Sequence, residues 1–269
     1  MNNASRPIGI FDSGVGGLTV MHAVVQKMPH EDIIYFGDTA HLPYGDKSAS
    51  TIQHRCKKII RFLLAQHCKC ILVACNSASA AAYDFLYPQV SQQALFMSVI
   101  EPMVDYLSTH YHNQTIGLIG TQQTVHSQVF AKKLAALSNG LRLKSLATPL
   151  LVPLIEEQYG TENQIIDTIL AGYLNKNILQ DIQALILACT HYPLLKPRIE
   201  HFYQQKLPVL DAASITADAL QASLTAHRLS NLQQTQGSQQ FYVSDLTAAF
   251  VKMANYFFGE PVVLQKLLL

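Results

Sequence analysis

The sequence has no tryptophan, little charge, and no block of either sign. Charged residues fill 14% of its 269 positions, and the formal net charge is +1. Proteins that grip nucleic acid or an anionic membrane surface carry a larger electrostatic footprint, so neither partner is expected. No apolar run approaches the roughly 18 residues of a membrane span. The opening stretch, Met1-Asn2-Asn3-Ala4-Ser5-Arg6-Pro7, lacks a signal peptide's apolar core, and a cytoplasmic location is expected. Cysteine is sparse and odd in number: Cys56, Cys68, Cys70, Cys75 and Cys189. That suits reduced thiols better than a disulfide framework. Cys68-Lys69-Cys70 has no second Cys or His pair at zinc spacing, so no metal is expected.

What the chain does have is alternation. A short apolar strand at 8–11 runs into Asp12-Ser13-Gly14-Val15-Gly16-Gly17, then a helical pattern to 28. Strand, glycine-rich turn and helix predict an anion site, because helix N-terminal N–H groups point at whatever sits there. A dinucleotide fingerprint needs glycine where Thr19 stands, which weakens a nicotinamide reading. A strand at 32–36 leads into the polar loop 37–46, placed where loops bind ligands. Ser48 is a predicted N-cap for a helix to 66. Residues 70–74 read as a buried parallel strand, 77–86 as a helix ended by Pro88, 94–99 as a strand, and 101–111 as a helix.

The pattern then restarts. Residues 115–121 resemble 8–13, and each half opens on an Ile-Gly strand and arrives at Ala-Cys. The distance from Gly9 to Cys75 is 66 residues and from Gly117 to Cys189 it is 72. Helices at 125–137 and 161–174 and strands at 141–146 and 184–188 fill the second copy. Pro193 and Pro197 then interrupt a helix that resumes over 195–204. A strand at 208–211, a helix at 216–229, and an α/β tail over 239–269 follow. The predicted fold is α/β: two pseudo-symmetric doubly wound domains, with the active site in the cleft between them. The tail is expected to return to the first half, giving one domain of 1–99 plus 212–269 and a second of 100–211.

Such a repeat brings Cys75 and Cys189 to one ligand from opposite sides. Two matched groups on opposite faces are what racemisation of a carbon acid requires: one thiolate removes the Cα proton and the other group, as a thiol, protonates the far face. A turnover of ~10 s⁻¹ allows a barrier of about 16 kcal/mol, so the site must stabilise the carbanion by desolvation and aimed donors. It must also keep one cysteine ionised, although a free thiol of pKa about 8.5 is only a few per cent thiolate at neutral pH. Asp12, Glu156 and His191 are the candidate tuners. The competing reading of both cysteines is that of buried core residues.

Several motifs together resemble the bacterial glutamate racemases: Asp12 to Val20, Gly37-Asp38-Thr39-Ala40, Pro43-Tyr44-Gly45, Ala74-Cys75-Asn76-Ser77-Ala78 and Ala188-Cys189-Thr190-His191-Tyr192-Pro193. The resemblance implies a cofactor-independent enzyme that makes D-glutamate for peptidoglycan. Cys75 would serve the D-glutamate side and Cys189 the L-glutamate side, with Asp12, Glu156 and His191 auxiliary. Substrate contacts are implied for Asp12, Ser13, Pro43, Tyr44, Gly45, Asn76, Ser77, Thr121, Thr190 and His191. Departures are His41 for a common Arg, Phe130 for Tyr, Ala212 for Ser, and Ser77 where the family usually has Thr. These leave the chemistry intact and bear on loop contacts and regulation. His191 favours glutamate, because the related aspartate racemases typically carry Glu there. L- and D-glutamate are the expected partners, and a homodimer is the assembly to test. Seven residues precede the first strand, so activation through an N-terminal extension is not expected. The competing functions are racemisation of aspartate or another amino acid, and a non-catalytic amino-acid-binding module.

Overall fold

The computed structural model describes residues 3–158 and 164–269. Two parallel sheets organise the chain. The first copy runs β1 (Ile8–Asp12), α1 (Leu18–Lys27), β2 (Ile33–Gly37), α2 (Ala49–Ala65), β3 (Cys70–Val73), α3 (Asn76–Val90), β4 (Leu95–Ser98) and α4 (Ile100–His110). The second runs β5 (Thr115–Gly120), α5 (Gln122–His126), α6 (Val129–Ala136), β6 (Arg142–Ala147), α7 (Leu151–Gln158), α8 (Gln164–Leu174), β7 (Ala184–Ala188), α9 (Lys196–Phe202), β8 (Val209–Asp211) and α10 (Ala212–Ala226). The chain ends with β9 (Gln239–Val243), α11 (Ala248–Phe258) and β10 (Leu264–Lys266).

Strand order is β10-β9-β2-β1-β3-β4 in one sheet and β6-β5-β7-β8 in the other. The four strands of each copy therefore lie in the same order, second-first-third-fourth. Register makes the repeat exact at the site. Gly9 pairs with Ile71, four residues before Cys75, and Gly117 pairs with Leu185, four residues before Cys189. The tail extends the first sheet, with β9 beside β2. Strands β1, β2, β3, β5 and β7 are buried along their whole length, as the apolar runs require of strands covered on both faces. Among the described residues, no helix is long and apolar enough to cross a membrane.

Local differences from the sequence reading have local causes. Pro88 does not end α3, which continues to Val90. Its ring sits at the exposed C-terminal end, where the carbonyl it leaves free, on exposed Asp84, is open to water. The helix expected over 125–137 is two helices, α5 and α6, parted at Gln128, whose φ of 55° is left-handed. Pro193 and Pro197 occupy the first turns of a 3-10 helix (Tyr192–Leu195) and of α9. There no N–H is required of them, so they start helices rather than break one. Helix α10 begins at Ala212, earlier than expected, because the Asp211 side chain accepts from Ala213 N at 3.2 Å and caps it. The predicted start of α8 at 161 lies outside the described residues.

Candidate active site

Cys75 and Cys189 are each placed by the end of a buried strand. Cys75 follows β3 and serves as the N-cap of α3, its Sγ accepting from Ala78 N at 3.4 Å. Its thiol donates to Ser13 Oγ at 3.6 Å. Burial, and then the Asp12 charge, push this thiol up to about 12, outweighing the Ala78 and Ser13 hydrogen bonds that favour the thiolate. Cys189 follows β7 and faces a histidine: its Sγ lies 3.9 Å from His191 Nδ1. His191 Nε2 reaches Glu156 Oε1 at 2.9 Å, and Phe257 packs edge-on to the ring with centroids 4.8 Å apart. Burial pulls the imidazole down, but Cys189 and Glu156 together overcome it and raise His191 to about 10. His191 is thus held as an imidazolium between a sulfur and a carboxylate.

The glycine-rich turn does something other than bind an external anion. Gly14 N donates to Asp12 Oδ2 at 2.9 Å, and the Gly17 and Ser13 N–H groups also serve that carboxylate. The anion held by the turn is the protein's own Asp12. Asp12 is completely buried; burial raises it, opposed by His191 and these N–H bonds. The glycines also let the two halves touch. A Cβ on Gly16 would lie 2.5 Å from His191 and 2.7 Å from Thr190 Oγ1. Thr190 is pinned across this contact: its Oγ1 donates to Asp12 Oδ1 at 3.4 Å, and its carbonyl accepts from Thr19 Oγ1 at 3.0 Å.

A cavity of about 230 Å³ lies between the two strand ends. Cys75, Asn76, Ser77 and Ser13 line it from the first copy, with Pro43, Tyr44 and Gly45 from the loop after β2. Thr121, Glu156, Cys189, Thr190 and His191 line it from the second copy. Asp12 alone of the expected residues does not reach the cavity; it sits behind the wall, against Thr190. Ser77 Oγ and Thr121 Oγ1 are 2.8 Å apart, joining the halves across the opening. Asn76 Oδ1 is buried with no protein partner. Among the described residues, no lysine or arginine lines the cavity. Among the described residues, no group of three His, Cys, Asp or Glu side chains is arranged to hold a metal ion.

The Asp/Glu/hydantoin racemase family model matches residues 9–220. The chain belongs to this family. A glutamate racemase of Geobacter metallireducens is 37% identical over 254 residues, covering 94% of this chain and 93% of that protein. A crystal structure of glutamate racemase from Francisella tularensis in complex with D-glutamate superposes with a TM-score of 0.88 at 33% identity, covering 98% of both chains. A Bacillus anthracis glutamate racemase isoform gives 0.91 at 29% identity, covering 97% of both. The sequence reading missed part of the family's cavity in this chain. Leu42, Pro149, Val152 and Pro153 form an apolar wall, and Asp46, Gln122, Thr148 and Tyr192 add polar edges. One signal for Asp46 was available. Gly37 pairs with β1 as Ala147 pairs with β5, and Asp46 and Glu156 lie nine residues beyond these equivalent positions.

Proposed function

We propose that this protein interconverts L- and D-glutamate without a cofactor, one of Cys189 and Cys75 removing the Cα proton and the other, as a thiol, delivering its own proton to the opposite face. The observation that carries the reading is that two thiols at equivalent strand ends of a duplicated fold line one cavity. A protonated His191 supplies positive charge beside Cys189, while burial and the Asp12 charge favour Cys75 as a thiol. That state is set for L-glutamate: Cys189 takes the proton from one face and Cys75 delivers one to the other. The reverse reaction starts from the opposite protonation state, which Asp12 opposes.

The cavity suits a dicarboxylate carrying an ammonium group. Asn76 lines the cavity and its buried Oδ1 has no hydrogen-bond partner among the described residues; turned towards the substrate ammonium it would gain one. The Ala78 N–H at the start of α3 is taken by Cys75 Sγ, and the Asn76 and Ser77 N–H groups before it are placed to meet a carboxylate. Hydroxyls of Ser13, Ser77 and Thr121 supply further donors in place of a fixed cation. Enclosure strengthens each of these contacts relative to water and favours the developing carbanion. We also propose the division into residues 1–99 plus 212–269 and 100–211, a cytoplasmic setting, and D-glutamate supplied to peptidoglycan synthesis. Homodimerisation is open to sedimentation analysis. The test of activity is circular dichroism or polarimetry of purified protein with L- or D-glutamate and no added cofactor. Conversion of either enantiomer to the racemate is the expected result. Conversion of aspartate and not glutamate, or binding of glutamate with no loss of optical activity, contradicts it.

A further inference from the structure

The loop after β2 lends Pro43, Tyr44 and Gly45 to the cavity wall, and beneath it lies an ion pair that the chemistry above does not use. Asp38 is completely buried and Arg55, on α2, nearly so. Arg55 grips Asp38 with two bonds, Nε to Oδ2 at 2.9 Å and Nη2 to Oδ1 at 3.0 Å. The remaining positions on the carboxylate are also taken. His41 Nδ1 lies 2.9 Å from Oδ1, and the Tyr44 hydroxyl donates to Oδ2 at 2.6 Å. Neither Asp38 nor Arg55 lines the cavity, so the Tyr44 hydroxyl is the link between the pair and the wall.

We propose that Asp38 and Arg55 are positioning residues for substrate binding, acting through Tyr44 to fix the 43–45 wall against the second half of the molecule. The inference rests on the racemase reading above. Burying two charges is costly, and the cost is offset where the charges are paired and hydrogen-bonded: Asp38 takes four bonds from Arg55, Tyr44 and His41, and Arg55 Nη1 also donates to Leu269 O at 3.4 Å. A carboxylate accepting from a bidentate guanidinium holds a phenol at shorter distance and more firmly than a neutral acceptor does. Burial opposes the Asp38 charge, but the Arg55, Tyr44 and His41 hydrogen bonds outweigh it and hold the carboxyl below its ordinary range. The early part of the loop is anchored separately: Asp38 N donates to Asp12 O at 3.0 Å, Ala40 N to Ser244 Oγ at 2.8 Å and Asp245 N to Thr39 Oγ1 at 2.8 Å. The part that meets substrate depends on Tyr44. Its tolerance is small, because a Cβ on Gly45 would already lie 3.0 Å from Thr121 Cβ across the opening.

The group acts on a wall and touches neither thiol, so the expected signature is a split between KM and kcat. Tyr44→Phe removes the hydroxyl and leaves the ring. It should raise KM for both enantiomers about tenfold, with kcat falling far less, since a hydrogen bond to a charged group is worth a factor of ten or more. Asp38→Asn should do the same more severely. Arg55→Lys, which keeps charge and loses the fork, should fall between wild type and Asp38→Asn. Equilibrium binding of D-glutamate by calorimetry should weaken in the same order, and melting temperature is recorded for each variant. If Asp38→Asn fails to fold, Tyr44→Phe still decides. An unchanged KM and binding constant in Tyr44→Phe, or a loss confined to kcat or to melting temperature, overturns the positioning role while leaving racemisation by the wild type intact. A wild type that neither binds nor converts glutamate overturns both.

Discussion

Cys75 and Cys189 occupy equivalent places in two copies of one unit, yet their surroundings have diverged. At Cys75 the neighbours are a helix N-terminus, the Ser13 hydroxyl and a buried carboxylate behind it. At Cys189 they are an imidazole and, through it, Glu156. The register identifies the substitution that separates them. Asp12 pairs with Gly37 at the end of β1, and its counterpart at the end of β5 is Gly120, which pairs with Ala147. One copy keeps an anion at this point and the other has no side chain at all. His191 stands where the first copy has Ser77, two residues past the cysteine. A symmetric scaffold therefore surrounds its two thiols differently, one by a helix N-terminus and a buried carboxylate and the other by an imidazole. Two-base racemisation needs one thiolate and one thiol in each turnover, because two thiols could not remove the Cα proton and two thiolates could not return one.

The comparison can be broken most severely by removing either sulfur. Cys75→Ala and Cys189→Ala should each lose racemisation by about 10²–10⁴-fold or more, the span of a positioned acid or base. Polarimetry from both enantiomers checks this, and a single variant that keeps near-wild-type turnover contradicts a role for that sulfur. Glu156→Gln should act on the Cys189 side alone. It removes one of the two groups that raise His191. We expect kcat from L-glutamate to fall about 10–100-fold. The alkaline limb of its pH profile, near pH 10 in wild type, should move towards neutrality. The same group gives a stability test. His191 has its value raised above the ordinary 6.5 to about 10. Its protonation therefore adds stability that is complete below about pH 6.5 and is lost as pH rises through about 10. Thermal melts of wild type and His191→Asn should converge as pH climbs through that window; parallel curves contradict the assignment.

Smaller changes sharpen the other side. Ser13→Ala deletes a partner of Cys75 that favours its thiolate. A loss of about tenfold in kcat from D-glutamate is expected, of the size of one hydrogen bond to a charged group. A loss seen only in KM argues that Ser13 binds substrate without tuning the thiol. Gly45→Ala places a methyl 3.0 Å from Thr121 Cβ, on the wall both enantiomers share. KM should rise roughly threefold for each, consistent with modest overpacking. Unequal shifts for the two enantiomers would show that this wall discriminates between them.

Much of this arrangement was legible in the chain, and the reasons are physical. Alternating buried strands and helices announced the α/β layers, and the repeated Ile-Gly start and Ala-Cys end located both sulfurs before any coordinates. The turn carrying Ser13 followed, since parallel sheets expose their carboxyl ends to ligands, whereas Asn76 and Thr190 came through the resemblance to the glutamate racemases. What stayed hidden depended on tertiary partners. The glycine-rich turn reads as an anion site in isolation, and only the fold reveals that the anion is Asp12. Gln128 gives no sequence signal for a left-handed kink. Val152 and Pro153 look like ordinary helix residues until α7 is set beside the cavity. Arg55 falls between Ile52 and Ile59 on the buried face of α2, but the sequence does not name the carboxylate that lets a guanidinium lie there; Asp38 appears as its partner only once α2 packs beneath the loop.

The central claim is that Cys189 and Cys75 handle opposite faces of one carbon, and isotope exchange in deuterium oxide tests it most directly. Wild type given L-glutamate, with no cofactor added, should form D-glutamate carrying deuterium at Cα. Cys75→Ala should exchange the Cα proton of L-glutamate through Cys189 while forming little D-glutamate, and Cys189→Ala should do the converse with the D enantiomer. Deuterium-free D-glutamate from the wild type, or exchange of both enantiomers by a single-cysteine variant at equal rates, would contradict the account.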